Sequence, residues 1–198
     1  MRVLVLCSLL LLLVAGCQAA QRQPARLSAS PSPTASALSP SPPVGQAPAF
    51  RSAAAPGVVH EGGQLGAIWE LTDFRHEAYA DRVRLIWQMA GGAEGPPFYR
   101  LAIVDNKASP HPTASNEPWG TVRVDLIFFD VYARSFPLRE RFPLTDLSEA
   151  LPVVRVDQYP TFDDASLGFS VGLRQRLPIE VYEFATPARL VIDILVEP

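Results

Sequence analysis

The sequence predicts an all-β fold, an eight-stranded β-sandwich of two sheets with at most one short helix, and three observations lead there. Apolar and polar residues alternate with period two in run after run, and clusters of Gly, Pro, Asn and Asp separate the runs. Only one short stretch carries a helix start signal.

Residues 68–75, Ile68-Trp69-Glu70-Leu71-Thr72-Asp73-Phe74-Arg75, open the series because aromatic and β-favouring side chains dominate them. A polar turn around Tyr79 follows, and residues 82–89 resume with Val83, Leu85, Trp87 and Met89 on one face. Gly91-Gly92-Ala93-Glu94-Gly95-Pro96-Pro97 is turn chemistry, since glycine admits positive φ and proline fixes φ at about −65°. Residues 98–105 form the third strand, with Tyr99, Leu101 and Ile103 on one side. The proline-bearing stretch 106–120 is the longest irregular one in the domain, and such loops often carry function.

Residues 121–132 form the longest predicted strand. Val122, Val124, Leu126 and Phe128 alternate with Arg123 and Asp125 before both faces turn apolar, which predicts a central position. The pattern breaks over 137–152, where Asp146 and Glu149 have capping-box spacing and predict a short helix over 146–151. Strands return over 153–159, 165–173, 179–184 and 190–196. In the second of these Leu167, Phe169, Val171 and Leu173 alternate with Gly168, Ser170 and Gly172.

The domain is expected to span residues 58–198, and two segments of different character precede it. Arg2 and the apolar run from Val3 to Val14 read as a secretory signal, too short for a membrane-spanning helix. The run ends in Val14-Ala15-Gly16-Cys17, which resembles the bacterial lipoprotein signal, where an aliphatic and two small residues precede a cysteine that is acylated. That resemblance implies that residues 1–16 are removed, that Cys17 carries lipid, and that the protein is anchored to the cell membrane on its extracytoplasmic side. An ordinary secretory cleavage near Ala15 or Ala20 is the alternative. Cys7 is the only other cysteine and lies in the removed segment, so the domain has no internal disulfide and relies on its core. Each buried methylene of an acyl chain contributes about 0.8 kcal/mol, so stable anchoring takes more than one chain.

Residues 17–57 are dominated by Pro, Ser, Ala and Gln, as in Ser30-Pro31-Ser32-Pro33 and Ser39-Pro40-Ser41-Pro42-Pro43. Such a composition buries too little surface to offset the entropy of ordering, so a disordered tether is expected. At about 3.1 Å per residue its extended reach is on the order of 120 Å.

Charge is unevenly placed. The chain has 17 basic and 20 acidic residues; Arg2, Arg22, Arg26 and Arg51 precede the domain, while every acidic residue lies at Glu61 or later. The domain therefore holds 13 basic against 20 acidic residues, a net charge of about −7. That charge argues against nucleic acid and anionic headgroups as its main partners and leaves room for a local basic patch.

Three pieces of sequence carry a family resemblance. They are Arg75-His76 with Tyr79-Ala80-Asp81-Arg82-Val83-Arg84-Leu85, then Leu167-Gly168-Phe169-Ser170-Val171-Gly172-Leu173, and Pro187-Ala188-Arg189-Leu190-Val191-Ile192-Asp193. Over residues 66–196 the chain resembles the AMIN and AMIN-like domain family of bacterial envelope proteins. The resemblance implies an eight-stranded sandwich that serves as a non-catalytic module, targeting envelope proteins or binding cell-wall polymer. In that family the domain often precedes an amidase; here a free-standing AMIN-like lipoprotein is expected.

The residues themselves point away from catalysis. His60, His76 and His111 lack the short spacings of metal sites, and no metal or cofactor is expected. No cysteine follows Cys17, no Ser-x-x-Lys occurs, and no Gly-x-Ser-x-Gly nucleophile elbow is expected. Asp163-Asp164 reads as a solvated turn rather than a glycosidase carboxylate pair.

Two ligand-binding candidates stand out. Arg75, His76, Tyr79 and Arg82 cluster with Asp81 at one hairpin end, where they can hydrogen-bond a sugar or peptide; alternatively Arg82 and Asp81 satisfy the turn and Tyr79 packs over it. Trp119, between Pro118 and Gly120, either offers an exposed indole to a sugar ring or caps the core. The expected partners are a cell-wall polymer or envelope protein, with the membrane reached through the N-terminal lipid. The alternative is a carrier or sensor that encloses a small apolar ligand in a barrel or sandwich.

Overall fold

Strands with an apolar residue at every second position put those residues on one side of a sheet, and two such sheets bury them by facing each other. The protein takes this arrangement in its computed structural model, which describes residues 46–52, 57–92, 94–105, 119–145, 147, 151–159, 161 and 163–196. Cys17, the tether up to residue 45, residues 106–118 of the long loop, and Asp146 and residues 148–150 of the expected helix lie outside the described residues.

A six-stranded sheet runs in the order β1 (Phe50–Ser52), β10 (Ile179–Phe184), β11 (Ala188–Leu195), β4 (Arg82–Gly91), β3 (Trp69–Ala78), β7 (Val131–Tyr132). The five-stranded sheet runs β2 (Val59–Gly62), β5 (Tyr99–Asp105), β6 (Val122–Phe129), β9 (Ser166–Leu173), β8 (Val153–Tyr159). All neighbours pair antiparallel except β3 with β7. The two-sheet, all-β expectation holds, and β6 is central to its sheet. The count differs: eleven strands are present among the described residues rather than eight.

Each added strand has a physical origin. The long run at 121–132 breaks at Asp130, whose φ of 56° is in the left-handed region that aspartate tolerates better than bulkier residues. The break carries the chain from one sheet to the other, where the Asp130 carbonyl accepts the Trp69 N–H at 2.9 Å and β7 pairs with the start of β3. β2 adds to β5 ahead of the first expected strand. β1 lies inside the segment assigned to the tether, and Phe50, Arg51 and Ser52 pair with Val181, Glu180 and Ile179. The boundary at residue 57 is therefore corrected, because the open edge of β10 supplies hydrogen bonds that composition does not reveal. The helix also differs. It is a single turn, α1 (Leu138–Arg141), while Leu147 within the expected stretch is buried and non-helical.

The space between the sheets is filled by rings. Trp87 meets Phe74 at 5.1 Å, Phe169 at 5.8 Å and Phe128 at 6.2 Å between centroids, and Phe142 reaches Phe74 at 5.0 Å and Phe169 at 5.2 Å. These side chains are buried, and full burial of a Phe contributes roughly 1.5–3 kcal/mol.

The outer faces hold charges in register. Asp193 of β11 lies opposite Arg84 of β4 and accepts from its Nε and Nη2, both at 2.7 Å, with neither residue more than 3% exposed. On the other sheet Arg123 donates to Asp125 at 2.5 and 2.6 Å, and Ser170 donates to the same carboxylate at 2.6 Å. Buried charges at such distances are paired because an unpaired one loses hydration without return.

Candidate functional site

β3 decides where a site can form. Its register shifts between Leu71 and Asp73, so Thr72 bulges out, Asp73 pairs with Gln88, and Phe74 rather than Asp73 faces Trp87 in the core. At its other end the Tyr79 N–H donates to the Arg82 carbonyl at 2.8 Å, closing the tight turn into β4. Counting back by twos, the backbone groups of Glu77, Arg75 and Asp73 face β4, and those of Ala78, His76 and Phe74 face away from it. β7 covers β3 only at Trp69 and Glu70, so among the described residues no strand pairs with residues 74–78 on that side.

A cleft of about 340 Å³ opens along this edge. Asp73, Phe74, Arg75 and His76 line one side, and Arg141 and Leu144 line the other. The far wall is held by the five-stranded sheet, where Leu144 and Val156 of β8 exchange backbone hydrogen bonds at 2.8 and 3.0 Å. Phe74, buried against Phe142, is the apolar floor. Arg75 Nη1 donates to Asp73 Oδ2 at 2.6 Å, while Arg141 stands 3.9 Å from the other Asp73 oxygen with its side chain 54% exposed. His76 is exposed. Two guanidiniums thus flank the Asp73 carboxylate in the lining, and Arg75 also lies 3.7 Å from Glu77.

Of the residues singled out from sequence, Arg75 and His76 come together here and the others do not. Tyr79 donates its hydroxyl to Glu77 beneath the Arg84 guanidinium, which lies 5.6 Å from the ring centroid. The Glu77 hydrogen bond, and then burial, raise the Tyr79 hydroxyl above the ordinary tyrosine range. Arg82 donates to Asp81 at 2.6 and 3.1 Å and to Asp193 at 3.2 Å, and its hydrogen bond holds the Asp81 carboxyl below its usual range. The turn therefore consumes these groups.

Trp119 is not an exposed platform. It is 4% exposed, with the Arg155 guanidinium 5.1 Å from its ring centroid, and it belongs to the outer layer of the five-stranded sheet. Glycine permits this: a Cβ at Gly172 would collide with the Trp119 carbonyl, and Gly120, at φ 79°, turns the chain into β6.

Two further groups were given no binding or catalytic role from sequence. Gly168-Phe169-Ser170-Val171-Gly172 has the spacing of a nucleophile elbow, yet Ser170 sits within β9, is 1% exposed and donates to Asp125. A nucleophile elbow needs a sharp strand-to-helix turn that presents the serine, which this is not. At the opposite edge His60 Nε2 lies 3.1 Å from the Tyr99 hydroxyl, which donates to Glu183 Oε1 at 2.7 Å, and Phe50 stacks on the imidazole at 4.4 Å. Burial lowers the His60 pKa, against Glu183 and Glu61, and raises that of Tyr99. Among the described residues no His, Cys, Asp or Glu cluster is arranged to hold a metal ion.

Compared with known proteins, the chain matches no family model, no curated protein sequence and no solved structure.

Proposed function

We propose that the protein is a membrane-anchored lipoprotein of the AMIN-like kind whose β-sandwich, without catalysis, binds a cell-envelope component, either cell-wall polymer such as peptidoglycan or a wall-associated protein. The observation that carries the binding reading is the edge cleft, with basic side chains over an apolar floor in a domain of net charge about −7. A local reversal of charge favours retention of an acidic partner. The anchor rests on Val14-Ala15-Gly16-Cys17. The carrier alternative has no comparable support, because aromatic rings occupy the space between the sheets.

Two experiments test this. The mature protein incubated with isolated cell wall at low salt should be retained, and retention should fall in Arg141→Glu; absence of retention by the unaltered protein overturns wall binding. Cys17→Ser should release the protein from membranes, and continued membrane retention of that variant overturns the anchor.

A further inference from the structure

We infer that the open edge of β3 is a docking groove for an extended acidic peptide segment of an envelope protein, which joins the six-stranded sheet as an added strand. This rests on the proposed envelope-binding role and commits it to a protein partner.

The backbone supplies the affinity. Phe74, His76 and Ala78 present N–H and C=O groups away from β4, and no strand among the described residues takes them. Natural proteins blunt such edges with proline, short strands or covering segments. β3 has ten residues and no proline, and its edge carries a cleft instead. A strand added about 4.8 Å away would fall within that cleft, between the β3 edge and the wall of Arg141 and Leu144.

The side chains supply the selection. In an added strand, alternate residues point to the two faces of the sheet, so every second residue would turn toward the Phe74 floor and the Arg141 wall. Arg141 is long, largely exposed and 3.9 Å from its carboxylate neighbour, so it can take a carboxylate from the peptide. An acidic residue there is favoured, and a lysine is opposed by the exposed Arg141 guanidinium.

The same features favour peptide over glycan. Sugar rings stack on exposed aromatic faces. Among the described residues lining the cleft the one Phe, Tyr or Trp is Phe74, which is buried, while Trp119 is buried elsewhere and Tyr79 is hydrogen-bonded to Glu77.

The test uses the full chain in detergent micelles and a fluorescein-labelled peptide of alternating Glu and Val, followed by anisotropy. Saturable binding is expected, and the matched Lys-Val peptide should bind at least about tenfold more weakly, as should the Glu-Val peptide to Arg141→Glu. Two peptides N-methylated on alternate sets of residues should behave differently: the set whose N–H groups face β3 loses binding and the other keeps it. Equal binding of both methylated peptides, equal binding of the Lys-Val peptide, or no binding overturns the groove. Cell-wall retention that persists without peptide binding overturns this inference alone, whereas loss of wall retention bears on the broader reading. A concentration-dependent dimer displaced by no peptide would assign the edge to a second copy of the chain and also overturn it.

Discussion

The six-stranded sheet treats its two edges in opposite ways. At one, β1 pairs with β10, the Gln46 side chain donates to the Glu183 carbonyl at 3.1 Å, and Phe50 stacks on His60. Along most of the other, β3 runs past β7 with its outward backbone groups lining a cleft. Unpaired edges invite association, and the two edges differ in what they offer: β1 is a strand of three residues, whereas β3 runs on past β7 through residues 74–78.

Both edges depend on the sheet between them, and the largest expected effect lies there. Asp193→Ala leaves Arg84, which is 3% exposed, without its bidentate partner, and breaking a buried pair in this way costs about 3–5 kcal/mol. Chemical denaturation should show that loss in one cooperative transition, with both edges lost together. Separate transitions would show that the edges are independent.

Next in size is the polar bridge at the sealed edge. Tyr99→Phe removes the hydroxyl shared by His60 and Glu183, for an expected loss of about 1–3 kcal/mol by denaturation. The same bridge should give the sealed edge an acid sensitivity. His60 has a folded-state pKa lowered from the ordinary 6.5, so in the window between that value and the folded one the unfolded chain binds more protons. Stability contributed here is complete above the ordinary value and is lost as pH falls through 6.5 toward the folded pKa. Denaturation of the protein and of His60→Gln at pH 8 and pH 5 should show a steeper acid loss in the former; parallel losses would remove His60 from the account.

Phe50→Ala comes third. It removes the ring stacked on His60 at 4.4 Å, for an expected loss of about 0.5–1.5 kcal/mol beyond area burial. Amide exchange in β10 should rise while exchange along β3 stays unchanged. A rise along both would mean that the edges communicate.

The open edge was more legible in the sequence than the sealed one. Alternation in Val83, Leu85, Trp87 and Met89, or in Leu167, Phe169, Val171 and Leu173, is enough to place β4 and β9, because burial on one face leaves a period-two signature. β1 has only three residues and sits among residues of tether composition; its order comes from β10, far along the chain. The Thr72 bulge did leave a trace, since the apolar parity moves from Trp69 and Leu71 to Phe74. Arg75 and His76 were visible at one hairpin end. Arg141 and Leu144 were not, because only the Leu144 bridge to β8 brings them across the cleft. Trp119 could have been settled by noticing that Gly168 and Gly172 leave hollows on β9, which Tyr159 and the Trp119 main chain fill.

The smallest expected effect is the one that defines the open edge. His76 is exposed and its backbone groups face away from β4, so His76→Ala removes a side chain that carries little folding energy. Thermal unfolding should register a change within about 0.5 kcal/mol, well below that of Phe50→Ala at the sealed edge, while amide exchange along β3 stays as fast as before. A loss comparable to the Phe50 variant would show that His76 is packed beneath another segment of the chain. The edge would then be covered, and the contrast between the two sides of the sheet would disappear.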